Sequence, residues 1–200
     1  MQDFLRKAPH ILHKNIPNEF NLDRVAELGD DVQMEGMKFR QAAVLVAVID
    51  QDNPSVILTR RPLHMKKHAG QIAFPGGKLE PSDQDATHAA LREAHEEIGL
   101  EPKFVNVLGC LDVYQIGSGY KICPVVAKVN KGFALKADPN EVDEIFELPL
   151  DFLMTADNYK LESKVWQGRM RQFYVLEYED YFIWGATAGM LKNLADKLRD

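Results

Sequence analysis

One stretch, Asp85 to Ile98 (DATHAALREAHEEI), constrains this chain more than any other. Its spacing predicts a helix: Ser82 and Asp83 are available to cap it, Asp85 sits in its first turn, and Gly99 with Pro102 stops it. Glu96 and Glu97 follow Glu93 by three and four positions, so on an α-helix all three carboxylates fall within an arc of about 100°. Leu91, Ala94 and Ile98 form the adjoining apolar stripe. The expectation is a helix lying on a sheet, with a carboxylate face beside its core face. Like charges at this spacing repel, and such glutamates are ordinarily a solvated face. Here Gly76 and Gly77 precede them, Arg92 adjoins Glu93, and Gly99 closes the run. A hard divalent cation gains from these groups, because Mg²⁺ takes oxygen ligands and shares them with phosphate.

Around this helix the chain reads as strands. Ala42 to Asp50 and Ser55 to Arg60 predict a hairpin with a long connection, and Val105 to Val113 and Ile122 to Val129 flank the loop QIGSGY. Glu141 to Leu150 reads as a loop, a short strand and a helix start. Lys160 to Trp166 and Met170 to Tyr178 form a second hairpin, and Ala186 to Leu198 has helical spacing. Asn21 to Leu28 reads as a short amphipathic helix. The mixed order fits an α+β fold packed in layers. Two hundred residues suit one domain, 1–200, with 1–40 as an N-terminal extension that carries no usable motif.

Composition excludes several function classes. The net charge is −6 with a pI near 5.5, which argues against broad nucleic-acid binding. The longest apolar run, Ala42 to Ile49, falls well short of the roughly 20 residues of a membrane span. Charge and Pro9 interrupt the N-terminus before a secretory core can form. Cys110 and Cys123 form no C-x-x-C and read as core residues. A cytoplasmic protein is expected.

Arg92 to Leu100, REAHEEIGL, resembles the second half of the Nudix box, G-x₅-E-x₇-R-E-U-x-E-E-x-G-U, with U a bulky aliphatic residue. Ala94 is smaller than that pattern asks. One residue is inserted in the first half, so its acidic position falls on Asp83, Gln84 or a neighbour. The resemblance implies a Nudix-like α/β/α sandwich with a mixed sheet and a catalytic loop-helix-loop. It implies cleavage of a nucleoside diphosphate linked to another moiety. Glu93, Glu96 and Glu97, with Gly77, would hold Mg²⁺ or Mn²⁺ against the diphosphate, and Arg92 would orient the glutamates. The proton acceptor would be a box glutamate or one outside it. Glu141 stands in the right kind of loop, with an ordinary surface glutamate as the alternative. The resemblance also allows a homodimer.

Upstream, Ile57 to Gly77 resembles the signature of the coenzyme A pyrophosphatase branch, L-L-T-x-R-S-x₃-R-x₃-G-x₃-F-P-G-G. Leu58, Thr59, Arg61, Gly70, Phe74, Pro75, Gly76 and Gly77 match, Ile57 is conservative, and Pro62 and Lys66 depart. The inserted residue is typical of that branch. Coenzyme A carries a 3′-phosphate besides its diphosphate, so its site needs extra cations, and Arg60, Arg61, Lys66 and Lys67 supply them. Lysine binds phosphate as a point charge without the arginine fork. Gly76 and Gly77 would lie against the substrate. Tyr120 is a candidate to stack on adenine or line the pantetheine arm, with core packing as the alternative. His64 and His68 are expected to be surface or hydrogen-bonding groups. Two rivals stand beside coenzyme A. One is the same reaction on a nucleotide sugar, dinucleotide or nucleoside triphosphate; the other is a nucleotide-binding regulator without turnover.

Overall fold

A ten-residue strand, β1 (Arg40–Ile49), is almost wholly apolar and is buried along most of its length. A run of this kind needs cover on both faces, and the rest of the fold supplies it. The computed structural model describes residues 1–14, 39–116, 119–166 and 169–199. The expected helix at Asn21 to Leu28 lies outside the described residues.

Among those residues one mixed sheet holds eight strands. They are β1, β2 (Ser55–Arg60), β3 (Ile72–Ala73), β4 (Gly76–Lys78), β5 (Val105–Cys110), β6 (Tyr114–Ile116), β7 (Tyr120–Val129) and β8 (Glu144–Pro149). Its path runs β3-β2-β1-β7-β5, with β4 on β1, β6 on β7 and β8 on β2. β1 and β7 are parallel over their full length, from Arg40↔Tyr120 to Ile49↔Val129, and the other pairs are antiparallel.

The expected hairpin of β1 and β2 is present but short, paired only at Val48↔Val56 and Ile49↔Ser55. Further along, the same edge of β1 is taken by β4, with Ala43 opposite Gly77 and Val44 opposite Gly76. A Cβ on Gly76 would sit 2.4 Å from the Ala43 carbonyl oxygen, so only glycine allows this approach. The sheet therefore forks where the glycine pair begins.

Strand alternation divides the side chains of the main sheet into two layers. Ala43, Leu45, Ala47 and Ile49 face helix α2 (Ala86–Ile98), while Val46 and Val48 face α1 (Gln2–Ile11) and α4 (Ala186–Arg199). This is the α/β/α sandwich. A second, antiparallel sheet of β9 (Lys160–Trp166), β10 (Arg169–Tyr178) and β11 (Tyr181–Trp184) joins the α4 side. There Tyr181 stacks on Phe146 with ring centroids 3.6 Å apart. The short helix α3 (Leu150–Met154) follows β8 directly.

Helix α1 lies in the N-terminal extension, where the sequence carries no usable motif. It forms because Phe4 and Ala8 are buried against the core of α4, which outweighs the hydrogen bond Pro9 removes in the last turn. His13 then bridges to Cys110 through two backbone hydrogen bonds. Both cysteines are buried and form no disulfide, as core residues should.

Candidate active site

α2 begins one step later than its sequence suggests. Asp85 is the cap itself, accepting from the His88 N–H at 2.8 Å, and neither Ser82 nor Asp83 takes that role. Gly99 ends the helix in a left-handed conformation, φ 67°, with its N–H on the His95 carbonyl and that of Leu100 on Ala94. The apolar stripe is rotated from the expected one. Ala86, Ala89, Ala90, Ala94 and Ile98 are buried, and Leu91 is only half-buried. These small residues lie on Ala43, Ala47 and Ala127 of the sheet.

The rotation decides the state of Glu97. Seven residues after Ala90, it continues the buried stripe, and it is 4% exposed. It faces core as well as site. Burial pushes its carboxyl up to about 7; the charges of Glu93 and Glu141 add to the rise, while the Gly76 N–H, donating at 3.1 Å, and the charge of Arg61 oppose it. Glu93, half-buried, is raised in the same way, first by desolvation and against the pull of Arg92. A Cβ on Gly77 would meet Glu93 Oε1 at 2.4 Å, so a bare backbone adjoins this carboxylate.

Arg92 organises the rest. It donates through Nε and Nη2 to the two oxygens of Asp83, both at 3.0 Å, and through Nη1 to Glu96 Oε2 at 2.8 Å. The same Nη1 lies 3.1 Å from Glu93 Oε1, and Nη2 reaches the Lys78 carbonyl. Asp83 is solvent-excluded and also accepts from the Glu80 N–H at 2.8 Å, with His88 Nδ1 at 2.9 Å. The Arg92 guanidinium holds its carboxyl well below the usual carboxylate range. The acidic position left open in the sequence is thus Asp83. The inserted residue and the shorter side chain together deliver a bidentate carboxylate to Arg92.

Glu141 lies exposed on a turn tied to the end of α2. The N–H groups of Lys136 and Asp138 donate to the carbonyls of Ile98 and Glu97, each at 2.9 Å. That tether brings its charge within reach of Glu93 and Glu97.

The basic loop divides. Arg60 is bound to two carboxylates, Asp143 at 3.1 Å and Glu144 at 2.8 Å, so its charge is already matched. Arg61, the residue after β2, has its charge within reach of Glu97 on the α2 side. There its Nε is buried with no hydrogen-bond partner among the described residues. Its backbone is fixed at both ends, N–H to the Gln71 carbonyl and carbonyl to the Gly70 N–H. Lys66 and Lys67 are exposed. His64 is exposed too, and His68 pairs with Gln71 Oε1 at 2.7 Å. Tyr120 is placed apart from the carboxylates. It shares the α4-side face with Ile122, and the Arg40 guanidinium lies 4.1 Å above its ring.

Among the described residues no three His, Cys, Asp or Glu side chains converge as a ready cluster, since Arg92 draws Glu93 and Glu96 and Gly76 draws Glu97. The donors nevertheless fit a hard divalent cation. They are carboxylate oxygens, two of them raised by burial and mutual repulsion, which a cation relieves.

The family model described as NUDIX domain matches residues 39–167. The chain belongs to the Nudix family. It is similar to NudL of Escherichia coli O139:H28, named as an uncharacterized Nudix hydrolase, at 35% identity over 92% of this chain and 95% of the relative. NudL of the K12 strain is 37% identical over 87% of this chain and 91% of its own length. Among solved structures, the binary complex of a C. elegans Ap4A hydrolase is 20% identical, with a TM-score of 0.48 over 55% of this chain and 80% of that one. As a Nudix hydrolase the protein acts on pyrophosphate bonds of nucleoside diphosphate derivatives, and Nudix hydrolases generally use divalent ions such as Mg²⁺. No helix among the described residues is long and apolar enough to cross a membrane.

Proposed function

We propose that this Nudix hydrolase cleaves the diphosphate of coenzyme A or its derivatives, giving adenosine 3′,5′-bisphosphate and 4′-phosphopantetheine. One observation carries the reading: the basic loop offers cations at two separate places. Arg61, with its unpartnered buried Nε, has its charge within reach of Glu97, whereas Lys66 and Lys67 are exposed. A diphosphate with a second, distant phosphate matches that division. Arg60 is paired with Asp143 and Glu144, so this reading leaves the substrate phosphates to Arg61, Lys66 and Lys67.

Glu93, Glu97 and Glu96, with the Gly77 backbone beside them, would hold Mg²⁺ or Mn²⁺. The bound ion supplies charge neutralisation at the diphosphate and a more acidic water. Arg61 clamps diphosphate oxygens through guanidinium donors that no protein group uses at Nε. Asp83 locks Arg92, and Arg92 in turn fixes the carboxylates of Glu93 and Glu96. Glu141 takes the proton of the attacking water at a carboxylate oxygen.

Coenzyme A and dephospho-coenzyme A differ only in the 3′-phosphate, and their kcat/KM ratio tests the assignment. Wild type should prefer coenzyme A about ten- to a hundredfold, as one charge-assisted contact of roughly 1.5–3 kcal/mol requires. Lys66→Ala should shrink the ratio by slowing coenzyme A alone, and Arg61→Ala should slow both compounds. Equal wild-type rates, or equal losses on both in Lys66→Ala, contradict it. Faster cleavage of a nucleotide sugar, dinucleotide or nucleoside triphosphate would move the substrate elsewhere, and tight nucleotide binding with no turnover would make the protein a regulator.

A further inference from the structure

β9 is the outer strand of the three-stranded sheet: β10 pairs with one side, and among the described residues no strand pairs with the other. Residues 160–165 are all exposed, Leu161 at 53% and Val165 at 60%. Natural edges are usually blunted by charged side chains, proline, a bulge or shortness. This one carries Lys160, Glu162 and Lys164 but is neither short, bulged nor interrupted by proline. KLESKVW contains no proline or glycine, and its register with β10 runs unbroken from Lys160↔Val175 to Trp166↔Arg169.

Alternation puts Leu161, Ser163 and Val165 on one face and Lys160, Glu162 and Lys164 on the other. The strand is self-complementary about Ser163. Laid antiparallel against itself, with Ser163 opposite Ser163, it sets Leu161 opposite Val165 twice and Glu162 opposite Lys164 twice. Apolar meets apolar at 161 and 165, and opposite charges meet at 162 and 164. Within one chain Lys164 faces Arg171 across the hairpin, and like charges directly opposite are destabilising, so a carboxylate on the other side of Lys164 is favourable. Met170, 64% exposed and opposite Val165, widens the apolar strip.

We propose that β9 pairs antiparallel with β9 of a second copy of this chain, centred on Ser163, joining two three-stranded sheets into one of six. The assembly is a two-fold homodimer whose interface is isologous. No α2 residue takes part, so the test does not depend on turnover.

Sedimentation equilibrium of the full chain should give twice the 22.7-kDa chain mass. Glu162→Lys and Lys164→Glu each replace two attractive pairs by two repulsive ones, and each should weaken the dimer about ten- to a hundredfold. An equimolar mixture of the two variants should recover it, because every charged position then meets its opposite. Circular dichroism should give both variants the wild-type spectrum, since both positions are exposed. A wild type that stays monomeric at about 100 µM, single variants that dimerise like wild type, or a mixture that stays dissociated would overturn the proposal.

Discussion

Glu97 holds a charge in a place that disfavours one. With no cation bound, its carboxyl titrates near 7 in the fold, against an ordinary value of 4.5, because it is buried on the α2 stripe. The native state therefore binds a proton more tightly than the unfolded chain, and stability falls as pH rises through the window from about 4.5 to about 7. The loss is on the order of 3 kcal/mol. Thermal melts in chelator should show Tm falling between pH 5 and 8, and Glu97→Gln should flatten that slope. Mg²⁺ should raise Tm most at the alkaline end, where the carboxylate is ionised. With Mg²⁺ present, the same substitution should cut turnover by about a hundred- to a thousandfold, as loss of a main electrostatic group of roughly 3–4 kcal/mol does. Asp83 belongs to a different class of residue. Asp83→Ala leaves the Nε of Arg92 without its carboxylate while Glu96 and the Lys78 carbonyl still hold the guanidinium, so urea denaturation should register a loss of about 1.5–3 kcal/mol. The shared face of the three glutamates was legible from helical spacing, whereas the orienting role of Arg92 was only what the resemblance implied. The matching of Arg60 was not, because Asp143 and Glu144 reach it from more than eighty residues away.

α2 separates stability from chemistry along its own length. Asp85→Ala removes the cap and should cost about 1 kcal/mol with kcat nearly unchanged, since the capped N–H of His88 lies in the first turn, away from the carboxylates. Gly77→Ala, in β4, should do the reverse. A methyl at that point lies 2.4 Å from Glu93 Oε1, so the carboxylate must move, and kcat should fall far more than Tm. Steady-state kinetics and melts on the two variants check both halves of this contrast. The elements that sequence reveals are those with a long, clean period: α2, α4 and the β9–β10 hairpin. β4 escaped because Gly-Gly-Lys carries no side-chain alternation, and its pairing is fixed only by the close approach to β1. α1 escaped because its apolar positions are few and Pro9 argues against a helix; only the α4 surface it covers explains it. Tyr120 is a related case. The strand was visible, but the start of β7 sets the face on which the ring lies.

At the scale of the whole molecule, the forked sheet brings the site together. β4 and β2 share one edge of β1, so the glycine pair and the end of the basic loop both arrive beside the helix that carries the glutamates. The α+β character and layered packing could be read from the order of strands and helices. The fork itself could not, because it is a tertiary relation between segments with no shared pattern. On the proposed reading, the carboxylates and Arg61 would meet the diphosphate, and the exposed lysines would meet the further phosphate. Incubation of the purified full chain with coenzyme A and Mg²⁺, followed by mass analysis of the products, tests that account most directly. Adenosine 3′,5′-bisphosphate and 4′-phosphopantetheine in equal amounts, both lost in chelator, is the predicted result. Intact coenzyme A, under conditions where another nucleoside diphosphate derivative is cleaved, would contradict it.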